Sequence, residues 1–240
     1  MRTIPILLLT LIAAGLSQLS ASASASTMIA SQSGPISNET TTTYWAYAVK
    51  RAAVRAAPST RARPIASIDL QTEDGFAENY LVLAQHVDRR LTWFKIRVPG
   101  RPNGRTGWVT EQALGALHVT HEHLVVNERH RKLTLYSQGR KIFSAPIGIG
   151  KPSTPTPTGN FWIREKFRVR SDPFYGPYAF GTADYSTLSE WPHGGVVGIH
   201  GTNEPSLIPG APSHGCIRMK DSDISRLWPL LKIGTPLTIQ

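Results

Sequence analysis

Residues 151–159 read KPSTPTPTG, with prolines at 152, 155 and 157. Each proline removes a backbone donor and clashes with a preceding helical turn, so no helix can run through the middle of this chain. The segment must be an extended loop, and the sequence on either side of it follows a two-residue period. In YLVLAQHV (residues 80–87), Leu81 and Leu83 alternate with Val82 and Ala84; in TWFKIRV (residues 92–98), Phe94, Ile96 and Val98 alternate after Trp93. Alternation over so few residues reads as short strands. The break PGRPNGRTG has the turn chemistry of a hairpin connection. Beyond it, HLVVNERHRKLTLYSQGRKIFSAPIGIG (residues 123–150) reads as strand, turn, strand, turn, strand, and GTPLTIQ as a closing strand. Only SDISRLWPLL (residues 222–231) reads as a helix, with Asp221 or Ser222 available as N-cap. The expected fold class is therefore mainly β with one short helix near the C-terminus.

The N-terminal residues MRTIPILLLTLIAAGLSQLSASASAS carry one basic residue, Arg2, an apolar run from Ile4 to Leu16, and small residues with an A-x-A site near Ala25. That layout predicts a signal peptide over residues 1–25 and an exported protein, or a membrane-tethered one if the signal is retained. No cysteine lies at the end of the expected signal, so lipid attachment through a cleaved N-terminal cysteine is not expected. Residues 26–43, rich in Ser and Thr, read as a linker. No later apolar run approaches the ~20 residues of a membrane span. The formal charge of +10 suits an anionic wall polymer or lipid headgroups better than nucleic acid outside the cell. The basic residues are spread over positions 50 to 170, and solubility alone accounts for such a distribution equally well.

The chain has a single cysteine, Cys216, in PSHGCIRM (residues 212–219). It can form no intramolecular disulfide, so in an oxidising compartment it is buried and inert, paired between chains, or kept for reactivity. Its neighbours are His, Gly and Arg rather than core residues, which favours reactivity. A free thiol is only a few per cent ionised at neutral pH and needs a base. His200 and His214 both qualify by type. His214 is two residues away, ~6.5 Å along an extended segment and too far for a hydrogen bond unless the chain curls. His200 lies 16 residues upstream, and the intervening loop can bring its ring onto the thiol, with the Gly201 carbonyl placed to orient the other ring nitrogen. The amides of Gly215 and Cys216 are candidates for an oxyanion site. A zinc site of His193, His200, His214 and Cys216 is the rival reading by ligand type, but no carboxylate accompanies them at zinc-peptidase spacing. His118, His121, His123 and His130 read as solvated, and Trp93, Trp108, Trp162 and Trp228 as core. Residues 171–195 read as a long irregular insert holding Phe174, Tyr175, Tyr178, Phe180 and Tyr185 before Trp191, the kind of segment that serves as a lid.

Two resemblances sharpen these expectations. AAVRAAPST (residues 52–60), WFKIRV (residues 93–98) and GRTGWVTEQAL (residues 104–114) resemble the opening and close of a bacterial SH3 domain, which implies a small β-barrel over residues 44–115 that binds wall peptide or glycan, or acts as a spacer. His200-Gly201, the gap, then Ser213-His214-Gly215-Cys216-Ile217-Arg218, together with TPTG (residues 156–159) and GTPLTI, resemble the L,D-transpeptidase (YkuD) catalytic domain over residues 118–240, a β-sandwich. That resemblance implies Cys216 as nucleophile, His200 as base, Gly201 as its orienting carbonyl, and His214 and Gly215 as support for the loop and oxyanion site. Arg218, Ser213 and Tyr178 are the expected substrate contacts. It also implies a thioester formed from a peptidoglycan stem tetrapeptide with loss of D-Ala, then transfer to an amine as a 3→3 cross-link or to water as an L,D-carboxypeptidase. The non-enzyme alternative is a wall-binding protein. No cofactor, metal or nucleic acid is implied, and the expected state is a monomer in the cell wall or periplasm.

Overall fold

The computed structural model describes residues 33–88, 91–190 and 192–240, and the side chains of all of these but Pro192 and His193. The expected signal peptide, residues 26–32 of the expected linker, Trp191 and the His193 side chain lie outside the described residues. In chain order the first half gives β1 (Gly34–Pro35), β2 (Thr43–Tyr47), β3 (Ala53–Arg55), β4 (Pro64–Ser67), β5 (Asn79–Asp88), β6 (Leu91–Arg97), β7 (Thr106–Thr110) and β8 (His118–Thr120). These strands form one sheet in the order β4-β3-β7-β6-β5-β2-β8, with β1 also on β5. The β6–β7 pairing runs from Trp93 opposite Thr110 to Arg97 opposite Thr106, so PGRPNGRTG is the hairpin connection its turn residues predict. Alternation along these strands turns Val54, Tyr80, Val82, Phe94, Ile96 and Val109 into one apolar core.

Residues 33–42 are not the free linker expected of a Ser/Thr-rich stretch. β1 pairs with β5, and the Asn38 side chain accepts hydrogen bonds from the amides of Thr40, Thr41 and Thr42 at 2.9–3.0 Å. An Asn that satisfies three successive donors makes a tight turn out of residues that have no apolar period to reveal it. The strand at His118–Thr120 likewise pairs with β2, so it extends the N-terminal sheet.

The second half continues with β9 (Glu122–Asn127), β10 (Lys132–Ser137), β11 (Arg140–Pro146), β12 (Gly148–Gly150), β13 (Gly159–Trp162), β14 (Phe167–Arg168), β15 (Tyr178–Tyr185), β16 (Val196–His200), β17 (Gly210–Ser213), β18 (Ile217–Arg218), α1 (Asp221–Leu227) and β19 (Pro236–Ile239). One sheet runs β11-β10-β9-β19-β13 and another β14-β15-β16-β18-β12-β17. Between them lie Leu124, Val126, Leu133 and Leu135 from the first, Phe180, Ile199 and Ile217 from the second, and Ile224 and Leu227 of α1, all fully buried. Each such side chain contributes about 1.5–3 kcal/mol. The last strand, β19, inserts parallel to β9 and antiparallel to β13, so the C-terminus is a central strand.

Two sequence expectations change here. The stretch expected as an irregular insert contains β15, eight residues long, whose Ala179, Phe180 and Gly181 pair with β16. Its flanking Gly and Pro residues hide a strand whose burial on both faces removes any alternation. The N-cap of α1 is Lys220 and no side chain caps the helix. Asp221 sits in the first turn instead, and its carboxylate accepts the Thr202 amide at 2.9 Å. Trp93 and Trp162 are core residues, whereas Trp108 and Trp228 are half-buried.

The two halves meet through a buried polar cluster. Arg164, after β13, donates from Nε to Glu78 at 2.9 Å and from Nη1 to the Tyr185 hydroxyl at 3.0 Å, and it also pairs with Glu73. Asn79 donates to the Arg164 carbonyl at 2.8 Å and accepts from the Trp162 indole at 3.0 Å. A guanidinium this buried is tolerable only because carboxylates and a hydroxyl surround it.

Candidate active site

β16 has the sequence VVGIH, and its alternation sets the site. Ile199 points into the core, while Val196, Gly198 and His200 line a cavity of about 310 Å³, and the buried Val197 lines a smaller pocket beside Cys216. β18 runs parallel to β16 with Ile199 opposite Ile217 and His200 opposite Arg218. That register brings Cys216 beside Gly198, whose amide donates to Sγ at 3.4 Å. A Cβ on Gly198 would stand in ordinary contact with both side chains, 3.9 Å from Sγ and 3.8 Å from Cδ2 of His200, so thiol and imidazole flank the same glycine. One parallel register thus brings two segments that are distant in sequence to the same cavity.

His200 is buried, and its Nδ1 lies 2.7 Å from the Gly201 carbonyl. A carbonyl only accepts, so Nδ1 carries the proton and Nε2 keeps its lone pair. Burial pushes the His200 pKa down to about 4, the Gly201 hydrogen bond opposing and the Arg218 charge adding to the shift. Burial also raises the Cys216 pKa, against the Gly198 amide and Arg218, which lower it. Thiol and imidazole are therefore both neutral at rest, and both line the same cavity.

His214 stands differently. Nζ of Lys151 is 3.0 Å from its Nε2, and an ammonium only donates, so that lone pair is occupied. Desolvation, then Lys151 and Arg218, lower its pKa. Ser213, expected at the substrate, is buried and spent inside the loop: its hydroxyl donates to the Cys216 carbonyl at 2.5 Å and accepts the Gly215 amide at 3.1 Å. The Gly215 amide is accordingly not available to an oxyanion. Gly215 has φ +125°, a conformation L side chains rarely adopt, and its carbonyl accepts the Thr156 hydroxyl at 2.7 Å. Thr156 also accepts the Gly150 amide at 2.9 Å, and the Lys151 amide donates to the Ser213 carbonyl at 2.9 Å. The proline-rich loop is the clamp that holds the cysteine loop.

Tyr178 does not line the cavity; it stacks on Trp228 with centroids 4.5 Å apart, because it starts β15 on the face that packs on α1. Tyr175 takes the expected place, its ring 4.7 Å from that of His200, with Phe174 next to it. Arg218 is buried, paired with Glu204 at 2.9 Å and stacked 4.4 Å from the Phe174 ring. Its Nε has no partner among the described residues, and it lines a smaller pocket beside Cys216 with His214. Asp221, unmarked by any motif, holds the segment after His200: besides accepting the Thr202 amide, its Oδ1 would lie 2.3 Å from a Cβ at Gly201. Among the described residues no three His, Cys, Asp or Glu side chains cluster in a metal-binding arrangement. His118 is exposed and stacks on Trp45, His121 bonds the Thr41 carbonyl at 2.7 Å, and His123 the Thr238 hydroxyl at 2.9 Å.

Residues 121–239 match the family model of the L,D-transpeptidase catalytic domain, YkuD. The chain is 38% identical over 117 residues to YkuD of Bacillus subtilis strain 168, named as an L,D-transpeptidase, covering 49% of this chain and 65% of that one. It is 30% identical over 154 residues to YbiS of Escherichia coli strain K12, also named as an L,D-transpeptidase, covering 56% of this chain and 49% of YbiS. The chain thus spans 49% to 65% of the length of these relatives. The catalytic domain of the Enterococcus faecium L,D-transpeptidase, solved by NMR, aligns at a TM-score of 0.38 with 23% identity, covering 49% of this chain and 95% of that one. What these comparisons share is the likeness of residues 121–239 to the L,D-transpeptidase catalytic domain.

Proposed function

We propose that this protein is an exported L,D-transpeptidase of the cell wall or periplasm, acting as a cysteine acyltransferase on peptidoglycan stem tetrapeptides. The observation that carries the reading is the His200 tautomer: Nδ1–H is held by the Gly201 carbonyl, which leaves Nε2 as a base in the cavity that Cys216 lines. In the first half-reaction Nε2 takes the thiol proton as sulfur bonds to the carbonyl carbon of the third residue of the stem. The C–N bond to the terminal D-Ala breaks, and the imidazolium returns the proton to the departing amine. In the second half an amine attacks the thioester, passes its surplus proton to Nε2, and the thiol is regenerated. Tyr175 and Phe174 cover His200 and limit water, which favours transfer over hydrolysis.

The N-terminal sheet is proposed as an SH3-like module. It is joined to the catalytic half within a monomer, and the +10 charge favours anionic wall polymer nearby. Incubating the protein with a tetrapeptide stem and weighing the product decides the acceptor: a cross-linked dimer supports transfer, and a tripeptide alone makes the protein an L,D-carboxypeptidase. A carbapenem should add once, on Cys216, by mass spectrometry. Cross-linking that survives in the Cys216→Ala protein overturns the thiol mechanism.

A further inference from the structure

The cavity that Cys216 and His200 line is not walled by the matched catalytic domain alone. Asp74 and Phe76, from the turn that precedes β5, line it beside Glu165, Phe167 and Arg168. That turn is fixed from within: the Phe76 amide donates to the Thr72 hydroxyl at 3.1 Å, the Thr72 amide to the Phe76 carbonyl at 2.8 Å, and Gly75 takes φ +81°. It is also fixed from outside, since Glu73 and Glu78 bind Arg164 and the Phe76 ring stacks on Phe167 at 5.5 Å and 17°. A large apolar side chain that stays 40% exposed over a cavity is placed to touch what enters it.

The charges of this wall are specific. Glu165 is buried; burial and the Asp74 carboxylate hydrogen-bonded to it hold its pKa above the usual carboxylate range, while the Thr72 hydroxyl opposes the shift. Arg164, the adjacent cation, is already engaged by Glu78 and Glu73. The cavity therefore presents a carboxyl pair drawn from both halves of the molecule, in a wall shared with the nucleophile. Arg168 lies on the same cavity with its guanidinium over the Tyr178 ring.

We infer that Asp74 and Glu165 form a subsite for an ammonium group on the side chain of the peptide substrate, so that the N-terminal sheet is a specificity wall of the catalytic cavity. An ammonium supplies donors to two carboxyl groups and neutralises the pair, and Arg168 suits the carboxylate that accompanies an ammonium at an amino-acid terminus. The inference rests on the proposed peptide substrate, but the cation preference can be measured without turnover. The probes are the tetrapeptide L-Ala-D-Glu-diaminopimelate-D-Ala and the same peptide carrying 2-aminopimelate, which lacks only the side-chain ammonium. Calorimetry on the Cys216→Ala protein should show the first binding roughly tenfold tighter, the size of one charge-assisted hydrogen bond. The ratio should fall toward one when Asp74→Asn or Glu165→Gln is added. Asp74→Lys, on an exposed turn, should reverse it. Equal affinities in the Cys216→Ala protein, a preference that survives both neutral substitutions, or no binding of either peptide at millimolar concentration overturns the subsite. Carbapenem acylation of the unsubstituted protein is read separately: an absent adduct counts against the transpeptidase reading, and an adduct without an ammonium preference counts against the subsite alone.

Discussion

Cys216 and the two histidines divide their work by which lone pairs are already spoken for. Lys151 occupies Nε2 of His214, whereas Gly201 occupies only the protonated nitrogen of His200. His200→Ala should therefore slow acylation of Cys216 by about 10²–10⁴, the range of a lost general base, and His214→Ala by much less, both followed by adduct mass against time. In the proposed mechanism His200 also sets the acid limit of acylation. It must be neutral to work, and its pKa lies near 4, so the acylation rate should hold level as pH falls below the ordinary histidine value of ~6.5 and fail only near 4. Stability moves the other way: the unfolded chain takes up this proton near ~6.5 and the folded chain only near 4, so stability present above ~6.5 is lost as pH falls between the two. An acid limb centred near 6.5 would place the working base elsewhere.

At the scale of elements, the proline-rich loop and the cysteine loop act as one unit. Thr156 satisfies a buried carbonyl at Gly215 and a buried amide at Gly150. Thr156→Val keeps the shape and removes both partners, so each orphaned group should cost about 1–3 kcal/mol, measured by denaturant unfolding. Acylation should slow as well, because Gly215 loses the contact that fixes its left-handed backbone. The loop was legible as extended from its prolines, and its neighbour as reactive from its histidine, glycine and cysteine. That the first grips the second was not legible, since the hydroxyl and carbonyl concerned are 59 residues apart. β15 was hidden for a related reason: a strand covered on both faces loses the alternation by which strands are recognised.

Over the whole molecule, the buried Arg164 cluster decides how the two halves cohere. Removing one member of a buried ion pair leaves an uncompensated charge, and Arg164→Ala should cost about 3–5 kcal/mol with a single lowered transition in a thermal melt. Two separated transitions, with the catalytic half unaffected, would mean that the halves fold independently. The cluster also positions the turn bearing Asp74 and Phe76, so the same substitution should weaken ammonium preference at the catalytic cavity. None of this was readable beforehand, because Glu73, Glu78 and Arg164 carry no motif and sit in stretches of ordinary surface composition.

The sequence by itself determined the β class, the hairpin at PGRPNGRTG and the closing strand, because strand periodicity and turn residues are local signals. The tertiary structure alone decided what each polar side chain is used for. Ser213 turned inward to its own loop, Tyr178 stacked on Trp228, Asp221 left the helix cap for the Thr202 amide, and Tyr175 and Asp74 reached the cavity. A hydroxyl, ring or carboxylate can serve many partners, and burial is what selects one, since every donor and acceptor taken from water must find its match among whatever the fold has brought near.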